Sequence, residues 1–164
     1  MQAKITIEVE YEWKPVINDE GKRYSFPMRF KEFKRGFRSY YNFPAIYRWV
    51  IRKNEEIIAV YIGEAENIGR RVYGYINPGP SQQTNKRLNS LFHECISTGL
   101  KVELELLKIH KLRIHGYDIS PVDLSGKHLR LLLENLMIEI HRQNGYVLLN
   151  KDVEETVPKS CREF

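Results

Sequence analysis

Residues 45–52 and 57–63 are two short runs rich in Ile, Val, Tyr and Trp, parted by Lys53-Asn54-Glu55. β-Branched and aromatic residues bounded by a turn signature read as the two strands of a hairpin. Each run carries a tyrosine near its middle, Tyr47 and Tyr61. The turn decides whether the two can act together. A three-residue loop pairs Arg52 with Glu56 and sets Tyr47 opposite Tyr61, with Cβ atoms roughly 4.5–5.5 Å apart on one face. A two-residue loop at Asn54-Glu55 pairs Tyr61 with Arg48 and sends the tyrosines to opposite faces. Cooperation therefore requires the three-residue register, or another of the same parity. Strand propensity alone also accounts for two tyrosines here.

The flanking sequence extends the pattern. Residues 4–13 alternate, with Ile5, Ile7, Val9, Tyr11 and Trp13 on one side, and read as a half-buried strand. After Gly63 a helix is expected over about 67–76, with Asn67 as its N-cap. On that helix Arg71 and Tyr75 are four apart and share a face. Pro78-Gly79-Pro80 marks a loop, followed by a helix over about 84–98 that stops at Gly99. Residues 101–109 read as a third strand and 110–123 as a connector. Ser125 is placed to cap a long helix ending at Asn144-Gly145. The fold class is α+β, a small three-stranded, mainly antiparallel sheet flanked by helices in the order β-β-α-α-β-α. The expected division is an N-terminal extension at 1–43 containing a strand and a basic-aromatic segment, a domain at 44–151, and a polar tail at 152–164.

With these residues in view, the chain resembles the GIY-YIG nuclease superfamily. The resemblance rests on Ala45-Ile46-Tyr47, on Tyr61-Ile62-Gly63-Glu64-Ala65-Glu66-Asn67-Ile68, and on Arg71 and Tyr75. The family pattern continues with a glutamate on a later helix and an asparagine beyond it. Glu134 in Leu133-Glu134-Asn135 and Asn150 in Leu149-Asn150-Lys151 occupy those places. Two positions depart from the pattern. Ala45 stands for the first glycine of the family name, and Glu64 stands where some relatives carry a lysine.

The resemblance implies an endonuclease that hydrolyses DNA phosphodiesters with one Mg²⁺ or Mn²⁺. Glu134 would be the metal ligand, since a hard carboxylate oxygen suits Mg²⁺. Arg71 would bind the scissile phosphate through its fork of donors. Tyr47 would accept the proton of the attacking water, Tyr61 would bond water or phosphate, Tyr75 would orient its neighbours, and Asn150 would hold the geometry. The roles of Tyr47 and Tyr61 are interchangeable at this level. The helix around Glu134 carries Leu131, Leu132, Leu133, Leu136, Met137, Ile138 and Ile140. A carboxylate in such a setting must be paired, hydrated or metal-bound, and an internal arginine is the other candidate partner.

The chain's formal net charge of +5 fits a nucleic-acid partner without requiring one. Arg35 and Arg38 in the basic-aromatic segment 29–41, Arg70 beside Arg71, and Lys86 and Arg87 after the loop are the candidate DNA contacts. Branched or single-stranded nucleic acid is an alternative substrate. The spacing of Phe30, Phe33 and Phe37 equally describes an amphipathic segment whose phenylalanines enter the core. The five histidines and two cysteines show no zinc spacing, and no phosphate-binding glycine loop is present. Signal-peptide and spanning patterns are missing too, so the expectation is a cytoplasmic, nucleoid-associated monomer or homodimer. A non-catalytic nucleic-acid-binding or assembly module of the same fold is the competing expectation.

Overall fold

The computed structural model describes residues 1–33 and 40–150. Arg35, Arg38 and the tail at 152–164 therefore lie outside the described residues. Strand β1 (Ile7–Pro15) and a single helical turn, α1 (Phe30–Phe33), precede the hairpin β2 (Ala45–Lys53) and β3 (Glu56–Ala65). Helices α2 (Ile68–Ile76) and α3 (Gln83–Ser97) follow, then β4 (Lys101–Ile114), β5 (Tyr117–Asp118) and α4 (Lys127–Gln143).

The sheet has five strands rather than three, in the order β1-β4-β2-β3 with β5 on β4. Every ladder is antiparallel. The two additional strands have clear causes. β1 pairs along the length of β4, so the N-terminal strand belongs to the same sheet as the hairpin. β4 does not stop at residue 109 but runs on through the expected connector to Ile114. It then reverses at His115-Gly116, both with positive φ (52° and 81°), into β5. Leu112 and Ile114 alternate out of phase with Leu107 and Ile109, because His110 is an extra residue opposite the Glu10/Tyr11 step.

Helices cover both faces. On one, Tyr47, Trp49 and Ile51 of β2 pack with Ile68, Val72 and Tyr75 of α2 and with Leu88, Leu91 and Phe92 of α3. Phe30 and Phe33 join that core, so the amphipathic reading of this segment holds where it is described. On the other face, Ile46, Val50, Val60 and Ile62 meet Leu133 and Met137 of α4. β2 alternates between two buried faces, and for that reason its sequence is a nearly continuous apolar run.

α4 is less enclosed than its composition suggests. Arg130, Leu133, Met137 and His141 form its buried stripe, while Leu131 and Leu132 are exposed. Gly126, not Ser125, occupies its N-cap, with no side-chain cap bond. Asn67 caps α2 as expected, its side chain accepting the Arg70 N–H at 3.0 Å. The helix ends at Gly99 and Gly145 are turns with φ of 88° and 79°, which glycine adopts without strain.

Candidate active site

The β2–β3 hairpin closes on the two-residue loop Asn54-Glu55, with Lys53 paired to Glu56. Continued unbroken, that register would split the tyrosines between the faces. A bulge intervenes: Arg52 pairs with Ile57, but Ile51 pairs with Ala59, leaving Ile58 as the extra residue. One extra residue reverses the parity of everything beyond it. Tyr61 then lies opposite Trp49, and Tyr47 lies opposite Gly63. The tyrosines share a face, as cooperation requires, but they are diagonal neighbours rather than direct partners. The direct Tyr47–Tyr61 pairing of the three-residue register is thus corrected.

The offset explains Gly63. The Tyr47 ring lies over it so closely that a Cβ at residue 63 would come within 2.5 Å of the ring carbon Cζ. Only a glycine lets the phenol lie there. α2 supplies the third phenol. Its Tyr75 hydroxyl is 2.6 Å from that of Tyr47, and it also hydrogen-bonds Tyr61. The three rings meet edge-on, at centroid distances of 6.2 Å for Tyr47–Tyr75 and 6.1 Å for Tyr61–Tyr75. Burial pushes all three phenols above their ordinary pKa. The Arg71 guanidinium and the bond from Tyr75 act in the opposite direction on Tyr47 and Tyr61.

Glu134 approaches from α4, on the other face of the sheet. Its charge is felt by both Tyr47 and Tyr61, and Arg71 stabilises it in turn. Burial and the neighbouring Glu64 raise the Glu134 carboxyl from 4.5 to about 7. Glu64 is held by Arg130, whose Nε donates to its carboxylate at 2.6 Å. Arg130 also donates to the carbonyls of Leu124 and Ser125, at 2.9 and 2.7 Å. This buried arginine therefore ties the entrance of α4 to the end of β3. It lies four residues before Glu134 on α4. Neither Glu64 nor Arg130 stood out in the sequence as a site residue. The available signal was an arginine four residues before Glu134 on an otherwise apolar stripe.

Asn150 does not enter this cluster. The segment before it runs parallel to β3, bridging Leu148 to Val60. The Asn150 side chain then completes the ladder. Its Oδ1 accepts the Ile62 N–H at 3.0 Å and its Nδ2 donates to the Ile62 carbonyl at 2.7 Å. Asn150 thereby clamps the residue between Tyr61 and Gly63. Arg87 of α3 sits close enough to Tyr61 and Tyr75 to feel their charge, and one guanidinium nitrogen donates to the Leu149 carbonyl at 2.8 Å. Its Nε is buried without a hydrogen-bond partner. Lys86 turns to the Pro80 carbonyl, 2.6 Å from its Nζ, and Arg70 is exposed beside Arg71.

Among the described residues no group of three or more His, Cys, Asp or Glu could form a cage. Glu134, half-buried and with its pKa raised by burial and by Glu64, is the carboxyl at this site that could ligate a cation. No helix among the described residues is long and apolar enough to cross a membrane.

No family model and no solved structure matches the chain. Over 89 residues it is 36% identical to the UvrABC system protein C of Mycoplasmoides gallisepticum (strain R(low / passage 15 / clone 2)). That match covers 51% of this chain and 14% of the Mycoplasmoides protein.

Proposed function

We propose that the chain is a nuclease of the GIY-YIG type, a divalent-metal-dependent endonuclease that hydrolyses DNA phosphodiesters. The partial likeness to a UvrABC system protein supports a DNA-acting role of the repair kind. The observation that carries the reading is the convergence of three hydrogen-bonded phenols, Arg71 and Glu134 from elements on opposite faces of one sheet.

Hydrolysis needs a water stripped of a proton, charge relief on the phosphate, and help for the departing oxygen. Arg71 binds a non-bridging phosphate oxygen by charge-assisted hydrogen bonds. Tyr47 accepts the proton of the attacking water. Burial raises its pKa and makes the neutral phenol a poor base, while the nearby Arg71 charge and the Tyr75 hydrogen bond work against burial toward the phenolate. Tyr61, joined to the same Tyr75, orients the water or the phosphate. Glu134 would hold a divalent cation, and such an ion would supply charge relief to the phosphate and the leaving oxygen.

Nicking of supercoiled plasmid with Mg²⁺ or Mn²⁺ tests the reading, beside Glu134→Ala and Arg71→Ala. Metal-dependent nicking lost in both variants is the expected result. DNA binding with no metal-dependent cleavage of duplex, branched or single-stranded substrates would instead make the chain a binding module.

A further inference from the structure

Beside Arg71, between α2 and the start of α3, lies a recess of about 220 Å³. Arg70, Arg71, Glu66, Gln82 and Asn85 are among the residues that line it. The amides are fixed before any ligand arrives. Asn85 is buried, and its Nδ2 donates to Gln82 Oε1 at 3.2 Å. The same oxygen accepts the Gly79 N–H at 2.8 Å, which anchors the pair to the Pro78-Gly79-Pro80 loop.

Gly74 also borders the recess, inside α2. A glycine in a helix interior is destabilising relative to alanine, and this one has no positive φ to justify it. Space does justify it. A Cβ at residue 74 would come to 3.0 Å from Asn85 Nδ2. The glycine keeps the amide pair clear of the helix.

We propose that this recess holds the nucleoside next to the phosphodiester that Arg71 binds. Arg70 meets that nucleoside's outer phosphate, and the Gln82–Asn85 pair meets the edge of its base. The proposal rests on the nuclease reading, because Arg71 is the wall shared by the two sites. The chemistry of the lining selects this occupant. Amides both donate and accept in one plane, as base edges do. Glu66 adds an acceptor on the same wall, suited to an exocyclic amino group or a sugar hydroxyl. The outcome is a base preference at one position beside the cut.

The test uses the whole chain, cleaving a duplex library randomised around one cut position, with metal-free binding to the same oligonucleotides measured by anisotropy. Wild type should show a preference confined to one flanking position. Asn85→Asp and Gly74→Ala should change or erase it, with a loss of affinity of about tenfold for the preferred base. Gly74→Ala gains helix propensity against the crowding of Asn85, and thermal melting checks its fold. Arg70→Ala should weaken binding to all sequences alike and lower the salt slope by about one. A wild type that cuts, with an unchanged base profile in both Asn85→Asp and Gly74→Ala, overturns the recess proposal and leaves the nuclease reading standing. A wild type that neither binds nor cuts removes that reading, and this one with it.

Discussion

Tyr47 and Gly63 are partners in the β2–β3 ladder, and the phenol of one occupies the space where a side chain on the other would be. The glycine and the first tyrosine of the motif are therefore a single steric unit. The Ile58 bulge, nearer the turn, creates that unit by shifting the register.

Gly63→Ala should push the Tyr47 ring away from Tyr75. Overfilling a packed site costs about 1–3 kcal/mol, which urea unfolding would read. Cleavage should fall by more than the loss of folded protein explains, since the phenol pair is separated. An alanine variant with wild-type stability and rate would mean that the ring moves without consequence.

Tyr75→Phe removes the hydroxyl that joins the other two phenols. That hydrogen bond lowers the pKa of Tyr47 and of Tyr61, against burial, which raises both. Losing it raises both further. If a phenolate accepts the proton, the rising limb of the pH–rate profile must move to higher pH in Tyr75→Phe, and the rate at neutral pH must drop. A profile that keeps its position while only its height changes would exclude a tyrosine base.

The sequence revealed the hairpin, both following helices and the long last helix, because each has an uninterrupted period and a Gly, Pro or Asn at its end. It did not reveal the bulge at Ile58, since an extra β-branched residue in an apolar run leaves no mark on composition. β5 was hidden for a different reason. Its turn at His115-Gly116 leads into a strand of two residues, Tyr117-Asp118, too short for alternation to register. The Leu-rich stretch of α4 suggested a largely buried helix, yet a helix on one face of a sheet needs only one stripe, and Leu131 and Leu132 face out. The tyrosines, Arg71 and Glu134 were readable as residue types in order. Their convergence was not, because Glu134 comes from the opposite face of the sheet.

Glu134 gives a pH-dependent prediction with a definite sign. Its folded-state pKa is raised from 4.5 to about 7, so ionising it costs stability. The cost is absent below the unfolded value and complete above the folded one. Glu134→Gln should therefore melt at the same temperature as wild type near about pH 4 and at a higher one near about pH 8. Mg²⁺ should raise the melting temperature of wild type above pH 7 and leave Glu134→Gln unchanged. Because bound metal displaces the proton, that stabilisation should fade as the pH drops through 7. Equal stabilisation of both proteins by Mg²⁺ would place the metal elsewhere.

On the face of the sheet away from the phenols, Arg48 donates to Glu105 at 2.8 Å, lies over the Trp13 ring and contacts His141 Nε2 at 2.9 Å. The His141 Nδ1–H donates to the Met137 carbonyl at 2.6 Å, and burial lowers the pKa of the ring, so Nε2 is the acceptor for Arg48. Breaking one side of a buried ion pair costs about 3–5 kcal/mol. Arg52 still pairs with Glu105 at 2.9 Å, so Arg48→Ala should lose less than that and keep the cleavage rate of each folded molecule. Loss of cleavage in a fully folded Arg48→Ala protein would show that the two faces are coupled through β2.

Asn150 separates a clamp from a substrate contact. Both of its polar atoms bond the backbone of Ile62, so Asn150→Ala strands one N–H and one C=O in a buried place, at about 1–3 kcal/mol for each group left unpaired. Asn150→Asp keeps the acceptor for the N–H but sets a carboxylate against the Ile62 carbonyl, and should be no better. The damage reaches catalysis through Tyr61 and Gly63, the neighbours of Ile62. kcat should therefore fall while KM for DNA holds, because Arg71 and Arg70 are carried by α2. Hydrogen exchange at the Ile62 amide is the independent reading, and it should lose protection in Asn150→Ala. If that amide stays protected while cleavage disappears, Asn150 acts on the substrate itself and not through the strand.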